Sequence, residues 1–450
     1  MLICMTSCGK TPESSTDSST ENGNPTTINT LSAVKKYSDG NVKGKPLNIW
    51  AYYPDETDNG MKLLKECGFN GAFLTRDGEY IMINPEPIKK AVENAAKYGL
   101  EAFPYTGHIG LDTDDCLSAE WLKSYDNIGG VYMYDEPTMK ELDDIAERAK
   151  YFNTNFKNKK FITALFPASH IENKSKWKYN VDYGEYVDAY CKKTFANLDD
   201  DGNRIVMADV YPVYKVNGKE IINSAHLYNL AALRETAVKY NAETNLAILT
   251  LDHQKYHVPT LNDLYFQINS LLTFGFTGYT VYTFDTRPST DKEDNRLGMV
   301  KDGNPTEIYD RVKKINEEVR SFENIYSAFS ACGVIPLKIG EEQADNYKKL
   351  ANAKSYTMSA DDTEILSDIS SDGDALCGCF KDCDENEAFM IMNYGVPEIE
   401  KTINITMTFE NCTRAIIYEN GIKKDTELKN GVLNYSLDAA RCAFVIPYTE

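Results

Sequence analysis

An alternation that runs for about 285 residues constrains this chain more than any other feature of its sequence. From residue 45 onward a short apolar run precedes a helical stretch, and the pair repeats eight times. The apolar runs are Leu47–Tyr53, Gly71–Thr75, Glu101–Tyr105, Gly129–Tyr134, Phe161–Phe166, Arg204–Val210, Leu246–Leu251 and Gly278–Phe284. They are near-continuous and rich in β-branched and aromatic residues, as parallel strands covered on both faces must be. Between and after them Asn59–Cys67, Glu86–Tyr98, Leu261–Phe274 and Glu307–Phe329 read as helices. In Glu86–Tyr98 the residues Ile88, Ala91, Val92, Ala95 and Ala96 fall on one helical stripe. Thr138-Met-Lys-Glu141 is a capping box that opens a helix after the fourth strand. The rhythm and length predict a (β/α)8 TIM barrel over residues 45–330. A doubly wound open sheet would carry a glycine-rich phosphate turn after the first strand, and Trp50-Ala-Tyr-Tyr-Pro54 stands there instead.

After Phe329 the period changes. Short strand-like runs, Gly333–Leu337, Ala388–Asn393, Lys401–Phe409, Arg414–Tyr418, Val432–Ser436 and Cys442–Pro447, are separated by turn signals such as Glu419-Asn-Gly421 and Lys429-Asn-Gly431. Residues 331–450 are therefore expected to form a small C-terminal antiparallel β-sandwich domain. Residues 1–44 read as a disordered tether rich in Ser, Thr and Asn. The start, Met1-Leu-Ile-Cys-Met-Thr-Ser-Cys8, resembles the end of a bacterial lipoprotein signal, with Cys8 as the acylated residue, although the basic region and most of the apolar region are missing. That resemblance implies an extracellular, lipid-anchored protein whose membrane contact is through Cys8. A monomer is expected.

The chain carries 68 acidic and 48 basic residues, a net charge of −20. Such a surface argues against nucleic acid as a partner and suits a neutral ligand. No run approaches the roughly 18 apolar residues that a membrane span needs. Eleven scattered cysteines do not make a disulfide framework. Cys377-Gly-Cys379 with Cys383 lacks a fourth ligand at zinc spacing, so these thiols are expected on buried or edge strands. Asp252, His253 and His257 are too weak a cluster to imply a metal. No metal and no cofactor is expected.

In a barrel of this kind chemistry sits at the C-terminal ends of the strands. In strand order those ends offer Trp50, Tyr52 and Tyr53; Arg76 and Asp77; Tyr105 and His108; Tyr134, Asp135 and Glu136; Ser169 and His170; Asp209, Tyr211 and Tyr214; Asp252, His253 and Gln254; and Tyr282 and Asp285. A mouth rich in carboxylates and aromatic faces suits sugar hydroxyls and sugar rings. Trp50 is expected there as a sugar platform. Tyr52, Arg76, Tyr105, His108, Tyr134, His170, Tyr211, Gln254 and Tyr282 are the other expected substrate contacts.

Gly130-Val-Tyr-Met-Tyr-Asp-Glu-Pro137 resembles the Asn-Glu-Pro motif that ends the fourth strand in clan A of the retaining glycosidases, which includes β-galactosidases and cellulases. The resemblance implies that Glu136 is the general acid/base and that the substrate is an extracellular glycan. Two departures stand out: Asp135 replaces the Asn, and Leu251-Asp-His-Gln254 replaces the end of strand seven that bears a nucleophilic Glu. Asp252, Asp285 and Asp209 are the candidates for the second carboxylate. The chain also resembles clan D of the α-glycosidases, which places an Asp nucleophile on strand four and an Asp acid on strand six; Asp135 and Asp209 would take those roles. An Asp-Glu-Pro turn can also merely cap the next helix. The missing nucleophile leaves open a second function, a surface glycan-binding protein without catalysis on the same barrel.

Overall fold

The computed structural model describes residues 29–74, 86–106, 120–171, 181–199, 203–252, 256–286, 297–338, 340, 343–351, 353 and 356–450. Cys8, Arg76, Asp77, His108, His253 and Gln254 lie outside the described residues.

Eight parallel strands form the first sheet: β1 (Asn48–Tyr52), β2 (Gly71–Leu74), β3 (Glu101–Pro104), β4 (Gly130–Asp135), β5 (Lys160–Leu165), β6 (Ile205–Asp209), then, after a hairpin of β7 (Val213–Val216) and β8 (Lys219–Ile222), β9 (Glu243–Leu249) and β10 (Gly278–Tyr282). The ladder runs β3-β2-β1-β10-β9-β6-β5-β4. Its two ends meet. Ala102 N donates to Asn127 O, Gly129 N to Ala102 O and Thr106 N to Tyr132 O, and Tyr105 pairs with Tyr132 as a parallel bridge. The sheet is thus closed as the (β/α)8 barrel that the alternation predicts.

Closure leaves a narrow interior, and aromatic side chains fill it. Trp50, Tyr52, Phe73, Phe103 and Tyr132 form one cluster with Ile162, Ala164, Ile205, Met207 and Ala247. The Trp50 and Phe103 rings lie 4.5 Å apart, and Tyr52 stacks on Phe73 at 4.6 Å. Gly71 is required here, because a Cβ on it would meet Trp50 Cδ1 at 2.5 Å. Trp50 is fully buried, which corrects its expected place at the mouth. Strand side chains alternate, so Trp50 and Tyr52 point the same way, and Trp50 lies one layer deeper, under the rings above it.

The C-terminal part is two antiparallel sheets. Ser330–Leu337, Ala375–Lys381, Glu387–Asn393, Cys442–Tyr448, Arg414–Glu419 and Ile422–Glu427 form six strands in that spatial order; Leu366–Ser371, Ile403–Phe409 and Val432–Leu437 form three. One face of the larger sheet puts Phe380, Met390, Met392 and Phe444 into the core shared with the barrel helices. The other face puts Cys377, Cys379, Phe389, Ile391 and Val445 against Ile405, Met407 and Leu433 of the smaller sheet. Cys377 and Cys379 are buried free thiols on a strand.

The tether reading fails for residues 29–44. Leu31–Ser38 is a helix whose Val34 and Tyr37 are buried. The Tyr37 hydroxyl donates to Asp382 at 2.5 Å, and Asn29 exchanges hydrogen bonds with the backbone of Glu387. A helix of eight residues is marginal alone and forms by docking. Two buried side chains in a polar stretch leave little periodicity to read.

Candidate active site

The strand ends of β4 and β6 carry the site. On β4, Tyr132 faces the barrel interior, and Met133 lies in the outer layer, where Arg148 contacts its sulfur. A regular strand would next turn Tyr134 inward and Asp135 outward. A bulge intervenes: Tyr132 pairs with Ile162, Tyr134 with Thr163 and Asp135 with Ala164. The extra residue re-aims the side chains beyond it. Tyr134 therefore points outward, and its hydroxyl donates to Glu141 at 2.5 Å, a correction to its expected place at the mouth. Asp135 points inward, where the Tyr132 hydroxyl donates to its Oδ1 at 2.7 Å.

Glu136 comes next, in the left-handed region, with φ at 50°. A non-glycine residue there costs roughly 1–2 kcal/mol. Pro137 disfavours the right-handed alternative for the residue before it. The turn is held on both sides: Glu136 N donates to Ala164 O at 2.8 Å, and the Tyr186 hydroxyl donates to Pro137 O at 2.7 Å. Beyond it, Glu141 accepts from Thr138 N at 2.7 Å, which is half of the expected capping box, and the helix itself starts at Leu142. On β6, Ile205 and Met207 face the interior, so Asp209 does too, at the top of the strand.

Glu136 feels the charge of Asp135, and Asp209 feels the charges of both. Burial first, and the charge of Asp135 second, push Glu136 up to about 7. Burial, then Asp135 and Glu136, hold Asp209 well above the ordinary carboxyl range. Its Oδ1 is enclosed and has no hydrogen-bond partner among the described residues. Burial also keeps Tyr52, Tyr132 and Tyr211 as neutral phenols, and the nearby carboxylates add to the effect.

Tyrosines wall the site. Tyr105 lies 5.2 Å from Tyr132, Tyr211 lies 6.2 Å from Tyr282 and 5.6 Å from Tyr256, and Tyr53 lies 5.8 Å from Tyr282, ring centre to ring centre. The structure thus gathers Asp135, Glu136 and Asp209 with Tyr52, Tyr105, Tyr211 and Tyr282. Three other residues take different positions. Asp252 accepts from Leu297 N at 3.1 Å. Asp285 lines a cleft of about 630 Å³ with Tyr53, Pro87, Lys90 and Lys97. His170 is exposed and stacks on Phe166 at 5.6 Å. Sequence reading missed Tyr132 as the partner of Asp135 and Tyr186 as the anchor of Pro137. Tyr132 stood inside the motif, but only the bulge brings its hydroxyl to Asp135.

One further cluster stands near the mouth. His257 Nε2 lies 3.1 Å from Glu220 Oε1 and 3.0 Å from Asp263 Oδ2, and the three are the only group of metal-ligand type among the described residues. The hydrogen bonds to Asp263 and Glu220 raise His257 to about 9. An imidazolium shared by two carboxylates ties the β7–β8 hairpin to the helix Leu261–Thr273, while His257 Nδ1 and Asp263 Oδ1 have no partner among the described residues.

No protein-family model matches the chain, and no curated protein matches it. Among solved structures, one described as a glycoside hydrolase superposes with a TM-score of 0.50 at 12% identity, over 90% of this chain and 95% of that one. An α-amylase from Anoxybacillus gives 0.45 at 12% identity, over 87% and 90%. A glycoside hydrolase family 5 protein from Bacteroides vulgatus ATCC 8482 gives 0.43 at 10%, over 90% and 89%. The first of these likenesses is one of fold, a barrel with appended sheets.

Glu136 makes stability depend on pH. Its folded-state value lies above the ordinary 4.5, so the native state holds this proton more tightly than the unfolded chain. Its contribution is fully present below about pH 4.5 and is lost as pH rises towards 7. Urea unfolding is therefore expected to find Glu136→Gln more stable than the wild type at pH 8, by on the order of 2 kcal/mol, and close to it at pH 4.5. A variant less stable than wild type at pH 8 would contradict this account.

Proposed function

We propose that the chain is a glycosidase that cleaves O-glycosidic bonds of an extracellular glycan, with Glu136 as the proton donor. The observation that carries the reading is a carboxyl raised to about 7 beside a second, inward-facing carboxylate at the mouth of a barrel. A general acid works best when its pKa lies near the working pH. Glu136 protonates the glycosidic oxygen as the bond breaks, and water then adds to the anomeric carbon and gives up a proton that restores Glu136. Asp135, oriented by the Tyr132 hydroxyl, stabilises the positive charge that develops on the sugar. Asp209 holds its proton more tightly than a donor at neutral pH should, and it serves as a hydrogen-bond donor to the site. This assignment agrees with the clan A resemblance of Glu136 and gives Asp135 a charge-stabilising role in place of the nucleophilic one that the clan D resemblance implies. The Tyr105, Tyr211 and Tyr282 rings supply sugar-facing surfaces.

Turnover of aryl glycosides and of plant and mucin oligosaccharides tests the proposal. Glu136→Gln should lower kcat on unactivated substrates by roughly 10²–10⁴-fold. It should spare dinitrophenyl glycosides, whose leaving group needs no proton. Asp135→Asn should impair both. Glycan binding without turnover by the wild type would overturn the enzymatic reading in favour of a glycan-binding protein.

A place at the cell surface, tethered through Cys8, belongs to the same proposal. Radiolabelled palmitate should label the protein in a bacterial host and fail to label Cys8→Ala. Equal labelling of the two would refute the anchor.

A further inference from the structure

A buried cation with no ion-pair partner among the described residues stands at the opposite end of the barrel. Arg234, on the helix His226–Lys239, is only 7% exposed. Its Nε is sealed from solvent with no hydrogen-bond partner, and its guanidinium makes no ion pair among the described residues. Two other arginines at this rim donate their terminal nitrogens to carbonyls, although the Nε of Arg204 is also without a partner among the described residues. Arg204 donates to the carbonyls of Phe195, Leu198 and Tyr240, and Arg320 to those of Gly68 and Leu47. Arginine does not give up its proton, so a buried guanidinium needs an anion or a set of carbonyl acceptors, and Arg234 has neither among the described residues.

Arg234 lines a cavity of about 360 Å³. That is within the size range of small-molecule sites, roughly 300–1,000 Å³. The cavity opens where β1, β9 and β10 begin, beside Leu47, Glu243 and Thr277. Glu243 cannot neutralise Arg234, because its carboxylate is taken by Lys45, Lys160 and Asn48. The C-terminal turn of the helix Leu261–Thr273 is close, since a Cβ on Gly275 would lie 3.6 Å from Arg234 Nε. The attraction of a helix end is small beside the cost of an unpaired buried cation. Leu47, Ala237, Phe329 and Phe380 make much of the remaining wall apolar.

We propose that this cavity binds a small oxyanion-bearing molecule with an apolar body, its carboxylate on the Arg234 guanidinium and its body against Leu47, Ala237, Phe329 and Phe380. A planar carboxylate matches the guanidinium fork in two parallel hydrogen bonds. A compact phosphate uses the same donors but leaves the apolar wall uncovered. The site is independent of the carboxyls at the mouth, so its test does not depend on the glycosidase reading.

Calorimetric titration of the full chain with benzoate, and separately with inorganic phosphate, tests the proposal. Wild type should bind benzoate with one-to-one stoichiometry and unfold at a higher temperature in its presence. Phosphate should bind more weakly. Arg234→Met should lose at least tenfold in benzoate affinity while remaining as stable as the ligand-free wild type, since an apolar side chain removes an uncompensated charge. Val238→Trp, which fills the half-buried wall and leaves Arg234 in place, should weaken binding as well. No saturable binding of benzoate by the wild type, tighter binding of phosphate than of benzoate, or undiminished binding by Arg234→Met would overturn the proposal. An Arg234→Met protein that is destabilised and still binds benzoate would show a purely structural arginine.

Discussion

Closure of the barrel around a packed aromatic interior is the constraint on which the rest of the structure depends. Without the contacts between β3 and β4, the sheet would be open and the ends of β4 and β6 would have no common floor. With them, Trp50, Phe73 and Phe103 fill the barrel, and Tyr52 and Tyr132 form the layer on which the carboxyls stand. The C-terminal sheets support this arrangement from behind. Phe380 and Phe444 of the larger sheet pack on Tyr326 of the helix Glu307–Tyr326, and the Tyr326 hydroxyl caps the carbonyls of Leu272 and Phe276 just before β10.

On that floor the chemistry is a matter of charge crowding. Burial and the charge of Asp135 raise Glu136, and burial with the charges of both raises Asp209, so the three carboxyls resist being ionised together. The bulge in β4 makes the crowding possible by turning Asp135 inward. The left-handed turn at Glu136 adds the second carboxyl one residue later. Both features cost local stability, and both sit at a strand end where a packed scaffold can hold them.

The sequence made the architecture legible because a parallel barrel writes itself in apolar runs. All eight barrel strands lie where those runs are, and so do six strands of the C-terminal sheets. Other elements left weaker marks. Leu366–Ser371 and Ile422–Glu427 are largely exposed, so no apolar run announces them. The helix Leu31–Ser38 is too short to show its period. At the site, Asp135, Glu136 and Asp209 were visible as acidic residues at strand ends. Trp50 and Tyr134 misled for different reasons: Trp50 shares the parity of Tyr52 but lies one layer deeper in the barrel, and the bulge in β4 changes the side of Tyr134 without a sequence signature. The partnerships of Tyr132 and Tyr186 are long-range or bulge-dependent contacts that no local pattern encodes.

The central claim is that Glu136 holds the catalytic proton with a pKa near neutrality. The most direct measurement is the pH dependence of kcat/KM for an unactivated glycoside, which reports the free enzyme's essential groups. The account predicts an alkaline limb that falls near pH 7 in the wild type and is absent from the residual activity of Glu136→Gln. The same limb in both proteins would place the proton on another group and contradict it.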